Sequence, residues 1–151
     1  MVKIQMQRKS GDYGFEVQDE AGHILQTDSS AESGGTDFGF RPMQLLLAAL
    51  GSCSAIDVVS ILKKQRQVIT NFEMIIEGER EPDVIPSLWK KIKMHFLLSG
   101  DLDEEKVLKA CVLSIDKYCS VAETLRRSGT SIEWQLTVNN IIVTGEKTTT
   151  G

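Results

Sequence analysis

The stretch Pro42–Arg66, PMQLLLAALGSCSAIDVVSILKKQR, limits the possible folds more than any other part of the chain. Pro42 suits the first position of a helix, where its missing N–H costs nothing. From Met43 to Leu62 there is no further proline and a single charge, Asp57. Apolar residues fall on every side of the helical wheel, which predicts a helix buried all round. A run of about 20 apolar residues is also long enough to cross a bilayer. Gln44, Ser52, Ser54, Asp57 and Ser60 interrupt it, and the remaining pattern is that of a soluble α+β protein, so a membrane role is not expected. At the centre, Gly51-Ser52-Cys53-Ser54-Ala55 sets five small residues in a row with one thiol in the middle.

The rest of the chain supplies what would cover that helix. Three short alternating segments, 2–9, 13–18 and 23–27, read as strands of an antiparallel meander. Gly22 supplies the positive φ of the second turn. Residues 29–40, SSAESGGTDFGF, have no periodicity and read as a loop, the natural place for a lid or pocket rim. After the helix, strands are expected over 71–80 and 89–97. A helix should follow from Asp103 to about Lys117, its first turn loaded with acids that suit the macrodipole. Ser120 and Glu123 have capping-box spacing, which predicts a break beside Cys119 and a short helix ending at Ser128-Gly129. A last strand over 130–138, a turn at Asn139, a short strand stub and a loose tail complete the order. Strands grouped by sequence rather than alternating with helices imply an α+β class with largely antiparallel sheets, in one domain over 1–151.

Charge and cysteine usage narrow the function. A net charge of −4 argues against nucleic acid as the main partner. The N-terminus lacks the apolar core of a secretory signal, so a cytoplasmic setting is expected. Three cysteines in such a chain do not suggest a secreted disulfide framework. There is no C-x-x-C pair, and His23 and His95 fall in expected strands, so no metal site is expected.

Each thiol has a bland reading and a chemical one. Cys53 could be one more small residue in a buried helix. As a nucleophile it would lie too far along the helix to draw on the macrodipole, and Asp57, at i+4, would oppose a thiolate on the same face. Any activating cation must then come from another segment or another subunit. Cys119, beside a helix start, has better local support for a thiolate. Cys111 fits the apolar stripe of Leu108, Val112 and Ile115 and reads as core. Arg126-Arg127 reads as a pair capping a helix C-terminus. Lys63-Lys64 and Lys90-Lys91 read as solvated faces. Gly34-Gly35 lacks the flanks of a phosphate-binding loop, and Ser52 and Ser54 lack a hydrolase motif.

The run Arg41-Pro42-Met43-Gln44-Leu45 through Gly51-Ser52-Cys53, the following Asp57-Val58-Val59-Ser60, and Tyr118-Cys119-Ser120-Val121 together resemble the OsmC family, which includes the organic hydroperoxide resistance proteins. The likeness is greatest to its YhfA-like branch. This resemblance implies an intertwined homodimer whose central helices are buried between the subunits, with active sites at the interface. It implies a thiol peroxidase acting on organic hydroperoxides or another apolar small molecule. Cys53 would become a sulfenic acid and Cys119 would resolve it as a transient disulfide. No bound cofactor is implied, only an external dithiol reductant. The chain departs from the family's peroxidases where Met43 and Gln44 follow Pro42 without an acid, and where Ser120 follows the second cysteine. No motif identifies an activating arginine, for which Arg8 and Arg41 are the candidates. A non-catalytic, small-molecule-binding or redox-sensing member of the family is the alternative.

Overall fold

A computed structural model describes residues 1–149, with side chains through residue 143. The chain divides into two compact units, residues 1–46 and the remainder from Leu47.

In the first unit, β1 (Ile4–Ser10), β2 (Gly14–Asp19) and β3 (Ile24–Thr27) form the expected antiparallel meander in the order β1-β2-β3. Gly22 turns at φ 90°, as its position requires. His23 lies in the turn before β3, not within the strand, and its Nδ1 is 2.8 Å from an Asp19 oxygen. The aperiodic loop that follows is organised by a residue the sequence did not single out. The Asp28 carboxylate accepts hydrogen bonds from the amides of Ser29, Thr36 and Phe38 and from the Thr36 hydroxyl. Its side chain is buried, yet those donors, Phe38 first, hold the carboxyl down at about 2 against the usual 3.8. Beyond it, Gly39 presses against β3, where a Cβ would stand 2.2 Å from the Gln26 carbonyl. Phe40 then bridges to Thr27.

The long helix α1 is Pro42–Lys64, as the sequence predicted. In the second unit, a sheet ordered β4-β5-β6-β7 joins β4 (Val68–Arg80), β5 (Trp89–Asp101), β6 (Ser131–Val138) and β7 (Ile141–Thr149). The β5–β6 pair is parallel and the others antiparallel, because two helices form the crossover between β5 and β6. The expected strand stub after Asn139 is instead the full strand β7. Asn139 and Asn140 both take positive φ, the condition for a tight hairpin whose twist matches its strands.

Strand alternation defines the core. Ile92, Met94, Phe96 and Leu98 of β5, with Ile132, Trp134, Leu136 and Val138 of β6, are buried on one face. Phe96 meets Trp134 edge-to-face at 5.9 Å and Phe72 at 6.5 Å. The opposite face is polar, with a Lys91–Glu133 ion pair at 2.7 Å and His95 Nε2 2.8 Å from the Thr137 hydroxyl.

The crossover begins with α2 (Glu104–Leu113), capped by Asp103, which accepts from the Lys106 amide. It widens into a π segment at Ser114–Tyr118, and α3 (Ser120–Arg127) follows. The predicted break at Cys119 is present, but the capping box is not formed. Cys119 itself is the N-cap, and Glu123 instead faces Arg127 at 2.8 Å. Arg126 donates to the Ile115 carbonyl, so the arginine pair does not cap its own helix end.

One chain does not bury α1 all round, contrary to the sequence expectation. Its buried residues are Leu50, Gly51, Ser54, Val58 and Leu62, a stripe that repeats every four positions. Ile56 is 66% exposed, and Val59 and Leu46 are about as exposed as surface residues. The helix is long and apolar enough to cross a membrane by length and composition.

Candidate functional site

The small residues at the middle of α1 each have a definite neighbour. Gly51 admits the tip of Ile76 from β4, whose Cδ1 would stand 2.3 Å from a Cβ there. Ser52 returns its hydroxyl to the Ala48 carbonyl, and Ser54 donates its hydroxyl to the Cys119 sulfur at 3.4 Å. The small residues lie where α1 closely receives β4, the start of α3 and the π segment. That segment has its own tie, since Ser114 donates to the Ser54 carbonyl at 3.2 Å. π-Type widenings are frequent at functional sites because they re-aim side chains without ending the helix.

This arrangement gathers two of the three thiols. Sγ of Cys53, Sγ of Cys119 and a carboxylate oxygen of Asp57 all lie within 4.8 Å of one another. Cys53 and Asp57 are half-buried and one helical turn apart on α1, and Cys119 is 2% exposed. All three cysteines are free thiols. The Cys119 sulfur accepts from Ser54 and, at 3.4 Å, from the Ala122 amide at the start of α3, and it sits 4.0 Å from the Leu50 carbonyl. Burial pushes the Cys119 thiol up, and the neighbouring Cys53 thiol adds to this. Ser54 and Ala122 pull the other way. Asp57 is approached by the Ser114 hydroxyl at 3.4 Å.

Cys111 lies elsewhere, wholly buried in the core side of α2, where desolvation alone pushes its thiol up to about 12. Its expected core role is the one it has. Among the described residues, no hydrogen bond or ion pair joins Cys53 or Cys119 to a lysine or arginine. Arg8 and Arg41 belong to the first unit.

Sequence reasoning identified both thiols and missed three of their companions. Asp57 was visible only as an unfavourable neighbour, although its i+4 spacing already placed it on the Cys53 face. Ser54 entered only as a rejected nucleophile. Ser114 had no local signal, because its role depends on the π turn bringing it to α1. Beside the cluster, an open cleft of about 640 Å³ is lined by Asp57, Ile61, Lys64, Leu113 and Tyr118 among others.

Chemically, the arrangement offers two sulfurs close enough to react with each other after modest movement, one of them reachable from outside. Protein YhfA of Escherichia coli strain K12 is 41% identical over 109 residues, covering 72% of this chain and 78% of its own length. The crystal structure of a hypothetical protein from Aquifex aeolicus VF5 matches with TM-score 0.75 at 27% identity, over 92% of this chain and 98% of that one. An organic hydroperoxide resistance protein OsmC from Legionella pneumophila matches with TM-score 0.63 at 17% identity, over 91% and 96%, a likeness of fold. The model of the OsmC-like protein family matches residues 33–135, more than half of the chain, and the chain belongs to that family.

Proposed function

We propose that the protein is a two-cysteine peroxidase for organic hydroperoxides, with Cys53 as the attacking thiol and Cys119 as the resolving one. The observation that carries this reading is the approach of the two sulfurs to within 4.8 Å from elements 66 residues apart in sequence. The roles follow exposure. Cys53 is the sulfur a substrate can reach, while Cys119 is buried and kept as a thiol, so it does not compete for peroxide. Membership of a family that includes named hydroperoxide resistance proteins supports the substrate class.

In the first step the Cys53 thiolate attacks the terminal oxygen of the hydroperoxide. An S–O bond forms, the O–O bond breaks, and the alkoxide leaves and takes a proton to become the alcohol. Cys53 is then a sulfenic acid, oxidised by two electrons. The Cys119 sulfur next attacks that of Cys53, an S–S bond forms, and the sulfenic oxygen departs with the Cys119 proton as water. A dithiol reductant, expected from outside the protein, reopens the disulfide by exchange. A disulfide needs its sulfurs at ~2.05 Å, so side-chain rotation at the extended Cys119 must close the remaining gap.

One equivalent of an organic hydroperoxide added to the reduced protein is expected to give a Cys53–Cys119 crosslink, seen by peptide mass mapping as the loss of two hydrogens. Two unchanged thiols at complete consumption of peroxide would sink the assignment. A non-catalytic binding or sensing role is favoured by one specific observation, the lack of a lysine or arginine bonded to either sulfur among the described residues. It predicts slow crosslinking and no turnover with any dithiol.

The exposed faces of α1 support a second copy as their cover, which makes the working form a homodimer with its sites beside the shared helices. Sedimentation in detergent-free buffer should give twice the chain mass at micromolar concentration. A monomer that partitions into lipid vesicles would instead assign the helix's apolar faces to a membrane.

A further inference from the structure

Three acidic ligand atoms meet where a peroxidase would be expected to place a cation. Two sulfurs and a carboxylate oxygen lie within 4.8 Å of one another, and no lysine or arginine is bonded to either sulfur among the described residues. The same set has the composition of a half-open site for a soft or borderline cation, two sulfurs and one oxygen with a position left for solvent. We propose that Cys53, Asp57 and Cys119 bind a thiophilic divalent cation of the zinc type, one per chain. The inference uses the same sulfurs as the peroxidase reading but does not depend on peroxide chemistry.

Geometry and surroundings support it. Tetrahedral zinc with Zn–S bonds of ~2.3 Å holds its sulfurs ~3.8 Å apart, so the three ligand atoms need contract by no more than about an ångström. Cys53 and Asp57 share one face of a rigid helix, and Cys119 is fixed as the N-cap of α3. Outer hydrogen bonds are already directed at the ligands. Ser54 and the Ala122 amide donate to the Cys119 sulfur, and the Ser114 hydroxyl lies 3.4 Å from the Asp57 carboxylate. Donors of this kind orient ligands and spread their charge when a metal is bound. Entry runs past the half-buried Cys53 and Asp57, from the cleft that Asp57 lines. Magnesium and calcium are excluded by chemistry, since they demand mostly oxygen ligands.

The absence of C-x-x-C or histidine spacing led the sequence to predict no metal. That spacing rule applies to ligands supplied by one local loop, whereas here the third ligand arrives from a residue 66 positions away from the first.

The test is titration of the phosphine-reduced protein with Co(II) under argon, followed by displacement with Zn(II). Expected are near-ultraviolet thiolate-to-cobalt charge transfer, tetrahedral d–d bands and saturation at one equivalent, all removed by zinc. Asp57→Asn should weaken binding by roughly tenfold to a hundredfold, and Cys53→Ser and Cys119→Ser should each abolish the charge-transfer bands, with far-ultraviolet circular dichroism confirming the fold. Prior formation of the Cys53–Cys119 disulfide should do the same. No charge transfer in the unaltered protein, or undiminished binding in the folded Cys119→Ser and Asp57→Asn variants, overturns the proposal. Metal binding without peroxide turnover would uphold this site while removing the peroxidase reading, and turnover with no metal binding would do the reverse.

Discussion

Cys53→Ser protein is expected to reduce organic hydroperoxide at least about a thousandfold more slowly than the unaltered chain, at any dithiol concentration. In the proposed mechanism, loss of the attacking atom removes the step in which the O–O bond breaks, and the neighbouring groups that remain offer no replacement nucleophile. Cys119 is the only other sulfur in the cluster, and at 2% exposure it is held as a thiol between Leu50, Ser54 and Ala122. The companion variant Cys119→Ser separates the two roles. It should react once with peroxide and retain a sulfenic acid on Cys53 that a cyclic 1,3-diketone traps, with no crosslink and little turnover. Stopped-flow consumption of hydroperoxide measures the first effect and mass spectrometry the second. If Cys53→Ser consumes hydroperoxide at the unaltered rate, Cys53 is not the nucleophile. Both substitutions replace sulfur by a slightly smaller oxygen, so a folded protein is the expected background for either result.

Asp28→Ala should have the largest effect outside the thiol cluster. The substitution leaves the amides of Ser29, Thr36 and Phe38 without their acceptor in a segment whose Asp28 anchor is buried. Opening of residues 29–40 should become about tenfold more frequent or greater, read as faster limited proteolysis within that loop. Acid provides an independent measurement. The folded-state carboxyl is held at about 2, below its usual 3.8. Its contribution is therefore fully present above the usual value and is lost as pH falls through 3.8 towards 2. Unaltered protein should show loop protection that declines across that window, while Asp28→Ala or Asp28→Asn should show weak protection with little slope there. Equal protease sensitivity of the variant and the unaltered chain at neutral pH would mean that the clamp contributes nothing to loop order.

Some of the thiol site could be read from adjacent residues. Cys53 stood out because five small residues interrupt an apolar helix, and Cys119 because a helix start follows it. The N-cap geometry of Cys119 is the local chemistry that its neighbours imply, although the cap is the cysteine rather than Ser120. Ser114 and Ser54 were not legible in this way. Their hydrogen bonds join residues 60 or more positions apart, and such a pairing has no trace in local spacing. Asp28 was hidden for a different reason. An aspartate at the end of a strand is an ordinary turn former, and only the folded loop shows three amides converging on it.

The sequence by itself determined the helices, the first meander and most of the sheet, because hydrophobic period and turn chemistry are local quantities. It also determined the family, through the run from Pro42 to Cys53 and the second thiol at Cys119. Tertiary structure alone decided three things. The β5–β6 pair is parallel because the helices between them cross over the sheet. β7 completes the sheet as a strand of nine residues where the sequence suggested a stub, since pairing with β6 stabilises a segment too weakly patterned to stand out. The long apolar helix buries only one stripe in a single chain, because burial depends on what packs against a helix and not on its composition. By the same logic, closeness of Cys53, Asp57 and Cys119 is a product of packing, which brings three residues scattered in sequence within 4.8 Å of one another.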